Sequence, residues 1–171
     1  DPDGVVVKLV GVELLAASPW QSPGIEPGDA ILRLRGATIL SETPEEPAHF
    51  VGRFGYEAAA KADGVQRLVS GSGDVIDVQE AAGFWPGAPG TGVADHVAFR
   101  AEDVAAVTAA ETSLARLNSS ITNRHDRKYF TSLYVREPGG TLIELATDGP
   151  GFTVDEAEPE LGKTLMVPPS D

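Results

Sequence analysis

One order of elements occurs twice along this chain, and that duplication constrains the fold more than any single residue does. In the first occurrence, residues 30–40 read as a strand. Residues 41–54 follow as a short helix opened by Thr43-Pro44-Glu45-Glu46, an N-cap followed by proline and acids in the first turn. Residues 56–80 then hold two or three strands, the last two split by Gly71-Ser72-Gly73-Asp74. In the second occurrence, residues 95–100 read as a strand and 103–117 as a helix with Val104, Val107, Leu114 and Leu117 on one face. Residues 128–135 and 141–147 are closing strands around Glu137-Pro138-Gly139-Gly140. Connectors rich in Pro and Gly precede each unit, at 16–29 and at 81–94. The expected fold class is therefore α+β, with tandem β-α-β-β-β modules at 30–80 and 95–150 and an acidic tail at 151–171. The two modules share element order without obvious sequence identity, which implies a structural repeat with diverged roles.

Ahead of the first unit, Asp1-Pro2-Asp3-Gly4 is a turn sequence that runs directly into the β-branched stretch Val5-Val6-Val7-Lys8-Leu9-Val10. A turn and a single strand need a partner to pair with. Residues 1–15 are accordingly expected to be the closing hairpin strand of a preceding module that this chain does not contain.

Composition removes several function classes. The net charge of −13, from 26 acidic against 13 basic residues, repels nucleic acid and anionic membranes, so neither is an expected partner. No run approaches the apolar length of a membrane span and no charged-then-apolar segment opens the chain, which predicts a soluble, cytoplasmic protein. With no cysteine, a metal can be held only by nitrogen and oxygen ligands.

The residue that most needs a partner is Glu144, a carboxylate inside the apolar run Leu142-Ile143-Glu144-Leu145-Ala146. A strand buried on one or both faces does not tolerate an unpaired charge. Alternation places His96, Ala98 and Arg100 on one face of their strand, Ser132, Tyr134 and Arg136 on one face of theirs, and Glu144 opposite Ile143 and Leu145. If the polar faces line a common concave surface, His96 and Glu144 converge on it, with Tyr134 and Arg127 nearby. An imidazole and a carboxylate without thiolates make two-thirds of the facial triad that holds non-haem Fe(II) or Mn(II). Taken alone, such a pair on neighbouring strands is more often a hydrogen-bonded or salt-bridged His–Glu couple than a metal site.

Three stretches carry a family resemblance: Asp95-His96-Val97-Ala98-Phe99, the run from Asp126 to Phe152 that includes Tyr134, Pro138-Gly139-Gly140 and Glu144, and Leu161-Gly162-Lys163 with Val167-Pro168-Pro169. Together they resemble the C-terminal module of the glyoxalase/bleomycin resistance/extradiol ring-cleaving dioxygenase (vicinal oxygen chelate) superfamily, in the branch similar to hydroquinone dioxygenases. The resemblance implies cupped mixed sheets and a dioxygenase that adds O2 to a small aromatic diol. It implies His96 and Glu144 as ligands of Fe(II), alternatively Mn(II), with Tyr134 and Arg127 contacting substrate oxygens or stabilising negative charge. Two departures stand out. The family's pair of histidines at the start of this module is Asp95-His96 here, and the branch's first metal ligand lies in an N-terminal module outside this chain. Of the remaining histidines, His49 is expected as a surface residue of the first helix, while His125 and Asp95 are expected beside the metal ligands rather than on the metal. The resemblance therefore implies a partner, either the N-terminal half of the same polypeptide or a second chain, and a homo-oligomer. Other functions of the same fold are a glyoxalase-type lyase or isomerase, and a non-catalytic module that binds an aromatic ligand.

Overall fold

The computed structural model describes residues 2, 4–13, 23–85, 87–88, 90, 92–117 and 122–167. The first unit comprises β1 (Gly36–Ser41), α1 (Glu45–Val51), β2 (Tyr56–Ala62), β3 (Val65–Ser70) and β4 (Val75–Glu80). The second comprises β5 (Val97–Ala101), α2 (Val104–Ala115), β6 (Asn123–Asp126), β7 (Phe130–Arg136) and β8 (Leu142–Pro150). The units form two four-stranded mixed sheets of identical topology, β1-β4-β3-β2 and β5-β8-β7-β6. In each, the first and last strands are parallel and the other pairs antiparallel. Parallel pairing requires a crossover between the partners, and that is where each helix sits.

Local chemistry explains the joints. Asp63-Gly64, both at positive φ (50° and 73°), makes the two-residue turn between β2 and β3. Gly36 opens β1 so close to β4 that a Cβ there would lie 1.8 Å from the carbonyl oxygen of Val75. Asp103 caps α2, its Oδ1 accepting from the Ala106 N–H at 2.7 Å. Asp103→Ala is expected to cost about 0.5–2 kcal/mol, read as a lowered urea midpoint at unchanged slope.

One continuous core joins the units. It runs from Ile39, Phe50, Val51, Leu68, Ile76 and Val78 of the first to Phe99, Val107, Leu114, Leu133, Val135, Ile143 and Leu145 of the second. Phe54 and Tyr56 meet Phe99 at ring-centroid distances of 5.2 and 5.1 Å. No helix among the described residues is long and apolar enough to cross a membrane.

Several element bounds differ from the sequence reading. The first strand begins at Gly36 rather than residue 30, and the first helix is confined to Glu45–Val51, followed by a 3-10 turn at Gly52–Phe54. The strand after the second connector starts at Val97, leaving His96 just ahead of it. Val104 and Leu117 are exposed, and Val107 and Leu114 with Ala106 and Ala110 make the packed face of α2. The further strand that the β-α-β-β-β order calls for, to which the sequence reading assigns no residues, is β6. Residues 5–13 join no ladder among the described residues, and Val6, Val7, Leu9, Val10 and Val12 are exposed. Much of the connector expected at 16–29 lies outside the described residues, which resume at Pro23.

Candidate metal centre

Strand register assembles the site. Glu144, third in β8, pairs with Ala98 of β5 on one side and Tyr134 of β7 on the other, and Tyr134 pairs in turn with Asn123 of β6. His125 and Ser132 pair one step along the same face. His96 has the parity of Ala98 and so reaches this face from the residue before β5. Its Nε2 lies 2.8 Å from Glu144 Oε2 and its Nδ1 2.9 Å from Asp95 Oδ2. The Tyr134 ring stands edge-on to both imidazoles, 5.5 Å from His96 and 5.8 Å from His125. A cleft of about 690 Å³ opens over this face, lined by Asp95, Asn123, His125, Arg127, Tyr134 and Arg136.

The electrostatics single out Glu144. Only 5% exposed, its carboxylate has one oxygen engaged by His96, whereas Oε1 makes no hydrogen bond among the described residues. A buried charged acceptor left half-satisfied is costly and calls for an explanation. A cation supplies one. Around a small divalent ion with ligand bonds of about 2.1 Å at right angles, neighbouring ligand atoms lie about 3 Å apart. The 2.8 Å between His96 Nε2 and Glu144 Oε2 suits that arrangement. A neutral imidazole has one N–H, and Asp95 as acceptor at Nδ1 leaves the Nε2 lone pair free to ligate. The residues present fit two ligand positions, because no group of three His, Asp or Glu side chains able to hold a metal occurs among the described residues.

Tyr134 is held as a phenol. Burial raises its pKa first, the Glu144 carboxylate adds to the rise, and contacts with Ser132 and Arg127 pull partly the other way. At neutral pH its hydroxyl is a donor, placed between the carboxylate and the cleft.

The first sheet carries the same position with different chemistry. Asp77 and Glu144 each stand four residues after a left-handed glycine, Gly73 (φ 81°) and Gly140 (φ 100°). Asp77 pairs with Thr38 of β1 and Arg67 of β3, as Glu144 pairs with Ala98 and Tyr134. Arg67 grips Asp77 with both arms, Nε to Oδ1 at 2.8 Å and Nη2 to Oδ2 at 2.7 Å. Gly36 occupies the place of His96, two residues before the paired strand residue. A guanidinium thus fills the first cup, and the carboxylate with a vacant oxygen is in the second.

The structure brings together His96, Glu144, Tyr134, Arg127, Asp95 and His125. His125 belongs to β6 rather than to a loop, and it sits across Tyr134 from Glu144. His49 lies on α1 and lines a separate groove of about 550 Å³ with Arg53, Tyr56, Lys61 and Leu68. Asn123 escaped the sequence reading, although its parity with His125 and Arg127 would have placed it on the cleft face.

Fold and site together define a class. The fold is that of the glyoxalase/bleomycin resistance protein/dioxygenase structures. A solved glyoxalase/dioxygenase from Nostoc punctiforme superposes with a TM-score of 0.60 at 16% identity, covering 75% of this chain and 99% of that one, a likeness of fold alone. The sequence relatives found carry dioxygenase names. The protein named for ring-cleaving dioxygenase activity as MhqO in Bacillus subtilis (strain 168) is 34% identical over 98% of this chain and 54% of its own length. The chlorohydroquinone/hydroquinone 1,2-dioxygenase of Sphingobium indicum is 32% identical over 88% of this chain and 49% of its own. A solved B. subtilis structure described as a dioxygenase superposes with a TM-score of 0.81 at 35% identity, covering 89% of this chain and 50% of that one. No family model matches the chain. The chain spans about half the length of the curated relatives it matches.

Proposed function

We propose that this chain is the metal-binding portion of a ring-cleaving dioxygenase acting on a small dihydroxylated aromatic ring. The carrying observation is the buried Glu144 carboxylate, with His96 Nε2 at 2.8 Å from one oxygen and no hydrogen bond to the other among the described residues. The likeness to hydroquinone-type dioxygenases supports the same reading. His96 and Glu144 hold an Fe(II) or Mn(II) ion, and the third ligand comes from an N-terminal half of the polypeptide or from a second chain. The homo-oligomer expected from the resemblance belongs to the same proposal.

In the reaction, both atoms of O2 enter the ring and one ring C–C bond breaks, O2 being the oxidant. The bound ion supplies Lewis acidity toward the diol and the redox chemistry that insertion of O2 requires. The protein's own part is positional and electrostatic. Asp95 keeps the proton on His96 Nδ1 and thereby points Nε2 into the site. Tyr134 donates its O–H to an anionic substrate oxygen. Arg127, beside that hydroxyl, stabilises negative charge accumulating on the ring or on oxygen. Ala98, next to Glu144, leaves room for a flat ring.

The test is to express the chain with the N-terminal portion of its relatives' length, load it anaerobically with Fe(II) or Mn(II), and supply hydroquinone and O2. One metal per chain and one O2 consumed per ring are expected. A preparation that retains no metal and takes up no O2 overturns the proposal. For this chain by itself, two ligands of three predict weak metal binding without turnover.

A further inference from the structure

The residue that presents Arg127 to the cleft sits in a turn held from an unexpected direction. The β6–β7 turn runs from Asp126 to Phe130, with the Arg127 N–H donating to the Phe130 carbonyl at 2.9 Å. Asp126 Oδ1 accepts from the Lys128 N–H at 2.9 Å, and Lys128 itself adopts a left-handed conformation, φ 67°. A lysine has no intrinsic preference for that region, so the turn needs support from outside itself. The support comes from the tail. Asp155, just past the 3-10 turn at Phe152–Val154, accepts from Lys128 Nζ with one carboxylate oxygen and from the Tyr129 hydroxyl with the other, the latter at 2.6 Å. Phe152 packs on the Tyr129 ring, 5.0 Å between centroids, and the Gly151 N–H donates to the Tyr129 carbonyl at 2.8 Å.

We propose that Asp155 is a positioning residue for the substrate cleft: by holding Lys128 and Tyr129 together, it sets the turn from which Arg127 lines the cleft alongside Tyr134. This rests on reading the cleft as the substrate site. The two residues that Asp155 holds directly follow Arg127, so little freedom remains between the anchor and the guanidinium. Asp155 also neutralises Lys128, leaving Arg127 as the cation that this turn offers to the cleft.

The experiment has two arms. In the metal-free chain, Asp155→Asn is expected to speed amide hydrogen exchange of Arg127 to Phe130 by about tenfold or more while Leu133 and Val135 stay protected, since loss of one anchor opens the turn and not the core. In the metal-loaded, complete enzyme with hydroquinone, D155N is expected to raise KM by about fivefold or more with a smaller change in kcat. It should add nothing further in an Arg127→Gln background, the signature of one residue acting through another. Asp155→Glu, which keeps the charge, recovers part of the loss. A turn that stays protected in D155N overturns this proposal alone, as do losses from D155N and R127Q that simply add. An R127Q enzyme as active as its parent overturns both this proposal and the assignment of Arg127.

Discussion

In the complete enzyme, Glu144→Gln is expected to abolish metal retention and turnover, while leaving the metal-free chain at least as stable as before. The substitution keeps the size of the side chain and exchanges a buried negative charge for a neutral amide. If Glu144 served the fold, removing its charge from His96 would destabilise the protein. The arrangement around it argues otherwise, because one oxygen of a carboxylate only 5% exposed has no partner among the described residues. Such a group is a net burden on the apo state, and neutralising it returns part of the desolvation cost. Unfolding in urea should show a gain of up to about 1 kcal/mol. Metal affinity should fall by well over about 100-fold, beyond what is typical for loss of a residue that only orients a ligand. Glu144→Ala should share the functional loss with some penalty for the cavity it leaves. A variant that still binds Fe(II) or Mn(II) tightly, or that unfolds markedly earlier, would move the metal elsewhere.

How much of this was legible beforehand depended on whether a feature is local. Glu144, Tyr134 and His96 were placed on one face by the two-residue alternation of strands and by the Pro-Gly-Gly turn before β8, and both signals lie within a few residues of the side chains concerned. Strand β6 has no such signal. Asn123-Arg124-His125-Asp126 is polar throughout because it is an edge strand, and its identity comes from pairing with β7. Residues 6–10 show the reverse case, with strong β propensity but no strand there in the described structure. On α2, small Ala106 and Ala110 take the contact that larger Val104 and Leu117 were expected to make, and alanine carries little weight in a periodicity argument. The anchor at Asp155 depends on partners 26 and 27 residues earlier in the chain, out of reach of any local pattern.

The two sheets also differ in what their equivalent carboxylates do, and this leads to a stability prediction that discriminates between them. Asp77 is 8% exposed and gripped by both arms of Arg67, with Lys8 and Arg35 as further cations. Its pKa is lowered, first by the Arg67 hydrogen bonds, which outweigh the opposing effect of burial. Arg67→Ala is expected to destabilise the chain by about 1–2 kcal/mol at pH 7, below the roughly 3–5 kcal/mol of a fully buried broken pair because the Arg67 side chain is about half exposed. The sign of the pH dependence follows from the direction of the shift. A depressed carboxylate pKa contributes stability that is present above the unfolded value, near about 3.9, and lost as pH falls through the folded value. The penalty of R67A, measured by urea unfolding, should therefore shrink as the pH is lowered from 7 toward 3. Replacing both partners, Arg67→Met with Asp77→Leu, should restore most of the loss, since no unpaired charge is then left in the cup. Neutralising Asp77 alone removes a satisfied charge, whereas neutralising Glu144 removes a half-satisfied one, so Asp77→Asn and Glu144→Gln are expected to shift stability in opposite directions. If both shift it the same way, the two cups do not differ as their hydrogen bonds say, and the reason for assigning the metal to the second sheet fails with them.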